Sequence, residues 1–354
     1  MNWIDHALYR EDLSRTANAN LNWNLLKDST FLITGATGMI GSYLVDLIMQ
    51  ENALHDLRCK IIAVGRNQEK AMARFSYCWD SPYFQFLTKD LNEGFSLDDT
   101  ADYVLHAASN THPIAYATDP IGTIVTNIIG TNHLLSWSAG HGCKRFIFAS
   151  SVEIYGENTG NTETFDEHYL GYIDCNTVRA GYPESKRAGE ALCQAYRKKE
   201  NLDIVVARLS RVYGPSMLSN DSKAIAQFLK NGLNTQNITL KSEGNQLYSY
   251  SYVADAVQGL LLLLSSGVDG EAYNIADSAS DCTLRELAEM IACHCKTQVV
   301  FDLPSQIEQM GYSKATKALL DATKIRALGY RPQYSIHEGI VRTLDILSET
   351  GFFC

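Results

Sequence analysis

The sequence predicts an α/β fold, a Rossmann-like, doubly wound parallel sheet joined to a smaller C-terminal domain, and three observations carry that expectation. Short apolar runs typical of strands buried on both faces recur through the first 210 residues. Segments with helical periodicity separate most of them, which is the strand–helix alternation of a covered parallel sheet. The first run also leads directly into a glycine-rich turn.

Taken in order, residues 1–27 are polar, contain Trp3 and Trp23, and read as a short helical extension packed on the main body. The buried-strand runs are TFLIT (30–34), KIIAV (60–64), FQFL (84–87), YVLHA (103–107), RFIFA (145–149) and DIVVARL (203–209). MIGSYLVDLIMQ and PESKRAGEALCQAYRKK are the clearest helices between them. From about residue 210 the alternation gives way to shorter helices, loops and isolated strands, AYNIA (272–276) among them. Thr283 and Glu286 form the capping-box pattern at the start of TLRELAEMIACHC.

Composition excludes several classes. An apolar share of 45% over 354 residues is enough for one large or two joined domains. The longest apolar run, LLLLL at 260–264, is far shorter than a membrane span, and the N-terminal residues carry acids without an apolar signal core. A net charge of −10 with no basic run argues against a nucleic-acid surface. The nine cysteines follow no framework spacing, as expected of reduced thiols in the cytoplasm. Cys293 and Cys295 around His294 fall on a helical pattern without a second ligand pair, so no metal is expected.

The turn after the first run is TGATGMIG, with Gly35, Gly38 and Gly41 spaced by three, and Met39 and Ile40 opening the next helix. Glycines at this spacing let backbone N–H groups approach a pyrophosphate at a helix N-terminus. Residues 28–209 are therefore expected to bind a dinucleotide, with a return segment near 245–276, and 210–350 to form mainly the substrate domain. The second run ends in AVGRN, where NAD-binding chains place an acid. Arg66 there favours NADP over NAD through the 2′-phosphate, the alternative being a stack on adenine. Asp90 is placed to meet the adenine, or merely to cap a turn.

In GYPESKRAGE, Tyr182 and Lys186 are four apart and share a helix face. The ammonium and a nicotinamide's positive charge are expected to lower the tyrosine pKa, making Tyr182 an acid or base. Upstream, FASSVEIYGE presents Ser151 and Glu153 at a strand end.

TGATGMIG, HAAS (106–109, with Ala107), FASSVEIYG, YPESK, RVYGP (211–215), YVADAV (252–257) and LDATKIRALGY (320–330) together make the chain resemble the extended short-chain dehydrogenase/reductases, the NAD-dependent epimerase/dehydratase family that modifies nucleotide sugars. Within it, PIGTIVTNIIGT and NTVRAGYPESKR look most like UDP-glucuronate decarboxylases, Arg179 being part of that likeness. The resemblance implies that Ser151 bonds the sugar hydroxyl, Tyr182 exchanges its proton, Lys186 holds the nicotinamide ribose, and Ala107 touches the cofactor. It also implies a homodimer through the helix carrying Tyr182 and the helix before the fifth strand.

The chain departs from the family pattern at several points. Val152 stands where the TDP-glucose dehydratases carry a proton-donating aspartate, which leaves Glu153 as base or hydroxyl-orienting group. Tyr248 stands where a diphosphate-binding arginine is usual, and Arg211 replaces a frequent asparagine, either restoring that charge or forming a salt bridge. Lys317 and Ala318 occupy the vicinity of a decarboxylase arginine. The expected function is NAD(P)-dependent modification of a nucleotide sugar through a keto intermediate. The alternatives are an NADPH-consuming keto-sugar reductase and a non-catalytic dinucleotide-binding protein.

Overall fold

Seven apolar runs pair side by side into one parallel sheet, because each has main-chain donors and acceptors that only a neighbouring strand satisfies in a dry interior. A computed structural model describes residues 3–111, 113–158, 160, 162–302 and 316–350. The strands are β1 (Thr30–Thr34), β2 (Lys60–Gly65), β3 (Phe84–Thr88), β4 (Tyr103–His106), β5 (Arg145–Ser151) and β6 (Ile204–Leu209). Three more follow, β7 (Arg211–Tyr213), β8 (Ile238–Leu240) and β9 (Leu247–Tyr252), and then β10 (Ala272–Ile275). The sheet order is β10-β6-β5-β4-β1-β2-β3. After β3 the chain crosses back to place β4 beside β1, and the reversal opens a crevice at the carboxyl ends of the strands.

AYNIA is therefore not isolated, as its position in the sequence implied. It forms the sheet edge, with Ala272 opposite Val206 and Ile275 opposite Leu209. A four-residue run gains stability only by pairing, and β6 offers the free edge.

β6 continues through Ser210 into β7, which leaves the main sheet and pairs with β9, Ser210 Oγ lying 2.7 Å from Ser251 Oγ. β9 also pairs with β11 (Asp281–Thr283) and β13 (Lys317–Ala318), while β8 pairs with β12 (Val299–Phe301). The capping box at Thr283 and Glu286 is formed. These smaller sheets and the helices Ala224–Leu233 and Leu284–Cys295 stand at the carboxyl edge of the main sheet.

The polar N-terminal segment folds as the helix Ala7–Ala17 and packs against the helices Met39–His55, Val253–Ser266 and Ile336–Thr350. Its Asp12 is fully buried, accepting from Arg342 Nε (2.6 Å) and Tyr252 OH (2.6 Å). Tyr9 OH donates to Asp46 on the helix Met39–His55 (2.6 Å), and Arg74 and Tyr77 donate to the same carboxylate. A buried ion stripped of its partner costs about 3–5 kcal/mol, so these contacts fix one arrangement of the extension on both parts of the body.

Candidate active site

One cleft of about 490 Å³ runs across the switch point, within the size range of small-molecule sites. Its first wall is the glycine turn. Gly35 has φ +66°, and a Cβ there would lie 2.8 Å from the Ala107 oxygen; a Cβ on Gly41 would lie 2.5 Å from the Gly35 oxygen. Larger residues at either position would push the turn off β4 or the helix off the turn. The helix starting at Met39 is capped by extended Gly38, so its first N–H groups face the cleft where an anion would sit.

Gly35, Gly38, Met39, Ile40, Gly41, Arg66, Asp90 and Ala107 all line this cleft. Asp90 does what a turn-capping aspartate does, accepting from Asn92 N (2.9 Å), and faces the cleft as well.

Strand alternation separates the two serines of FASSVEIYGE. Ser150 also borders the cleft but is 3% exposed and gives its hydroxyl to Glu190 Oε1 (2.5 Å), a carboxylate also held by Arg208. Ser151 faces the cleft and accepts from Glu153 N (3.2 Å), capping the short turn Val152–Tyr155. The turn delivers Glu153 to the cleft wall, where Arg179 Nη2 approaches its carboxylate at 2.7 Å and Arg211 Nη1 at 3.5 Å. Burial alone would raise this carboxyl's pKa, but the two guanidiniums outweigh it and hold the pKa below the ordinary range. Glu153 is a carboxylate at neutral pH and has no proton to give.

Tyr182 and Lys186 lie in the first turns of the helix Gly181–Glu200, both turned inward. Lys186 Nζ donates to Ala149 O (2.8 Å) and sits over the Phe148 ring, and burial lowers its pKa to about 8. The downward shift expected of Tyr182 belongs to the site with a nicotinamide beside it. Burial raises the Tyr182 pKa to about 12, against the hydrogen-bonding influence of Ser151 and Tyr116. The ammonium of Lys186, one of the two charges expected to stabilise tyrosinate, is directed at the β5 carbonyl, and the other charge comes only with a bound nicotinamide.

Two residues singled out for substrate do not line the cleft but stand behind those that do. Arg179 backs Glu153, and its guanidinium carbon lies 4.8 Å from the Tyr116 ring centre. Tyr248 lies under Arg211, whose guanidinium carbon is 3.7 Å from the ring centre. The charge absent from β9 thus reappears one strand over, on β7, stacked on the tyrosine that replaced it. Ala318 sits opposite Tyr248 in β13, and Lys317 pairs outward with Glu163.

Sequence reasoning missed Tyr116, whose buried ring stacks on Tyr182 with centres 4.8 Å apart and planes 26° apart. It missed Lys70, Lys89, Leu218, Asn220, Asp221 and Lys223, which also line the cleft. Tyr116 lies ten residues beyond β4 with no local pattern to mark it, and only the position of HAAS at a strand end pointed to that region.

Residues 31–276 match the model of the NAD-dependent epimerase/dehydratase family, so the chain belongs to that family. It is 29% identical over 310 residues to UDP-glucuronic acid decarboxylase 6 of Arabidopsis thaliana, covering 87% of this chain and 86% of that one. UDP-glucuronic acid decarboxylase 3 of the same plant is 30% identical over 316 residues, with 87% and 86% covered. A dTDP-glucose 4,6-dehydratase structure from Streptomyces venezuelae with NAD bound superposes with a TM-score of 0.75 at 25% identity, over 90% of this chain and 97% of that one. A UDP-glucuronic acid 4-epimerase from Bacillus cereus, in complex with UDP-glucuronic acid and NAD, gives 0.76 at 22% identity, over 91% and 99%, and shares the fold.

Proposed function

We propose that this member of the epimerase/dehydratase family uses a nicotinamide dinucleotide to oxidise a hydroxyl of a nucleotide-activated sugar to a ketone, and reduces or otherwise transforms that ketone in the same cleft. The observation that carries the reading is the convergence of Ser151, Tyr182 and Lys186 at one end of a cleft whose other end is the glycine turn. The dinucleotide, when bound, supplies the hydride acceptor and donor. The pyrophosphate suits the Gly35–Gly41 turn, and Lys186 suits the nicotinamide ribose. Ser151 orients the reacting oxygen, and Tyr182, once the positive charge of a bound oxidised nicotinamide favours its tyrosinate, takes the proton during oxidation and returns it during reduction.

Glu153 then serves as a fixed negative charge or a base. Neither it nor Val152 supplies the acid that loss of a hydroxyl needs, which favours epimerisation over elimination; loss of a carboxyl group would likewise need a proton donor, such as Tyr182, for the carbon it leaves. Arg211, at the cleft wall, suits the anionic part of the substrate. The test is to incubate UDP-, TDP-, GDP- and CDP-linked sugars with the protein, analysing products by mass and absorbance at 340 nm. A new sugar without net absorbance change is the expected result; steady consumption of reduced cofactor would replace this reading with a net reductase. That second reading is favoured by the burial that raises the Tyr182 pKa to about 12, which suits it to give a proton to a ketone oxygen.

We also propose a homodimer in the cytoplasm. Ile121, Ile124 and Ile129 are exposed on the segment before β5, beside the helix carrying Tyr182, and the described cysteines are free thiols. Light scattering of the wild type and of Ile121→Asp tests the pairing, a monomeric wild type excluding it.

A further inference from the structure

We infer that Tyr116 is a positioning residue for proton exchange at Tyr182: its ring fixes the place of the Tyr182 phenol and its hydroxyl supports the tyrosinate, so that Tyr182 and not Tyr116 is the phenol that ionises. The inference rests on the reading of Tyr182 as proton carrier and concerns what makes it one. The two rings stack with centres 4.8 Å apart and planes 26° apart, Tyr116 being 7% exposed and Tyr182 6%. Such a contact confines a flat side chain in direction as well as in position.

Tyr116 is itself held from elsewhere. It lies in the short helix Pro113–Thr118, whose Ile114 N donates to Ser222 Oγ (3.2 Å), between the cleft residues Asp221 and Lys223. The Arg179 guanidinium meets both the Tyr116 ring and Glu153, while its Nε and Nη1, although buried, find no hydrogen-bond partner among the described residues. The ring faces this otherwise unanswered part of the cation. Glu153, Arg179, Tyr116 and Tyr182 therefore form one packed series, in which Tyr116 joins the ion pair to the phenol.

Two phenols this close cannot both be anions, because each charge opposes the other. Burial opposes ionisation of either, and the remaining neighbours decide which one yields. At Tyr182, Ser151 from the end of β5 counters burial by hydrogen bonding, Glu153 opposes the anion, and Arg179 and the Tyr116 hydroxyl favour it. Lys186, on the same helix, is turned to the Ala149 carbonyl. At Tyr116, the charges of Tyr182, Glu153 and Asp221 add to burial and Arg179 counters it, leaving the pKa well above that of an ordinary phenol. Tyr116 thus keeps its proton and serves as a donor to a neighbour that loses one.

Ultraviolet titration of tyrosinate in the protein saturated with NAD⁺, and separately with NADP⁺, tests this without turnover. The positive nicotinamide should make Tyr182 the first phenol to ionise as pH rises, and that first step should be missing from Tyr182→Phe. Tyr116→Phe keeps a ring to stack and loses the hydroxyl, so the step should move up by about one pH unit, a tenfold smaller tyrosinate fraction at a given pH. Tyr116→Leu loses the ring as well and should move it further, with dinucleotide affinity unchanged in both variants. An unmoved step in Tyr116→Phe, whose melting curve shows that it folds, overturns the role of the hydroxyl and leaves Tyr182 as proton carrier; equal shifts in the two variants overturn the role of the ring. An early step that survives Tyr182→Phe, or no early step and no dinucleotide binding, overturns the reading of Tyr182 and this inference with it.

Discussion

The two ends of the cleft handle charge in opposite ways. At the reactive end every charged group meets an internal partner: Glu153 has Arg179 and Arg211, and Lys186 has the Ala149 carbonyl. At the end where the adenosine of a dinucleotide is proposed to sit, Arg66, Lys70 and Lys89 stand exposed without salt-bridge partners among the described residues. Charges that must keep a fixed position during a reaction are held by the protein, because a buried charge without a partner is costly. Charges that only recognise a ligand stay in water, where waiting costs little.

That contrast predicts unequal responses to mutation. Tyr182→Phe should lower turnover by about 10²–10⁴-fold, the size of a lost general acid–base contribution, while dinucleotide titration still shows binding. Comparable turnover in this variant would mean that the reactive end lies elsewhere. Glu153→Gln should destabilise the fold by about 3 kcal/mol, read from denaturant unfolding, because Arg179 and Arg211 lose their counter-charge. An unchanged midpoint would show that solvent already screens the pair.

The pH dependence should follow Lys186. With its pKa lowered to about 8, the ammonium is lost as pH rises through that value, so kcat/KM should fall there rather than near the ordinary lysine range. Its effect on stability has the opposite direction. The unfolded chain keeps this proton to about pH 10.4 and the folded chain only to about 8, so between the two this lysine makes folding more favourable as pH rises. Lys186→Met should abolish the limb near pH 8.

Tyr116→Leu should cost about 1 kcal/mol of stability through the lost ring stack and loosen Tyr182, raising KM or lowering kcat while sparing dinucleotide affinity. Least of all, Arg66→Ala should leave the ligand-free melting temperature within about 2 °C of wild type, as for other surface changes. A large drop would show that the adenosine end is braced in the same way as the reactive end.

The parallel sheet was readable because fully buried strands leave continuous apolar runs, and because the positive φ of Gly35 and the close approach of Gly41 to the Gly35 oxygen are set within one strand–turn–helix unit. Ser151, Tyr182 and Lys186 were readable for the same reason, each at a recognisable strand end or helix start. The Glu153–Arg211 contact was not, since it depends on where β6 bends into β7. Likewise, no local pattern shows that AYNIA completes the main sheet or that Tyr116 lies on Tyr182. The i,i+4 spacing puts the Lys186 ammonium on the face of Tyr182 but does not show that it points at the Ala149 carbonyl.

The clasp between Asp12 and Arg342 spans 330 positions of sequence. During synthesis from the N-terminus, the carboxylate is made 330 residues before its guanidinium, which follows both walls of the cleft. Docking the first helix earlier would bury a charge with no counter-charge, so it is expected to wait. The nascent chain should therefore display the apolar side of Ala7–Ala17 to chaperones until residue 342 leaves the ribosome. Arrested chains ending before and after that residue should differ sharply in protease sensitivity near Leu8 and Leu13.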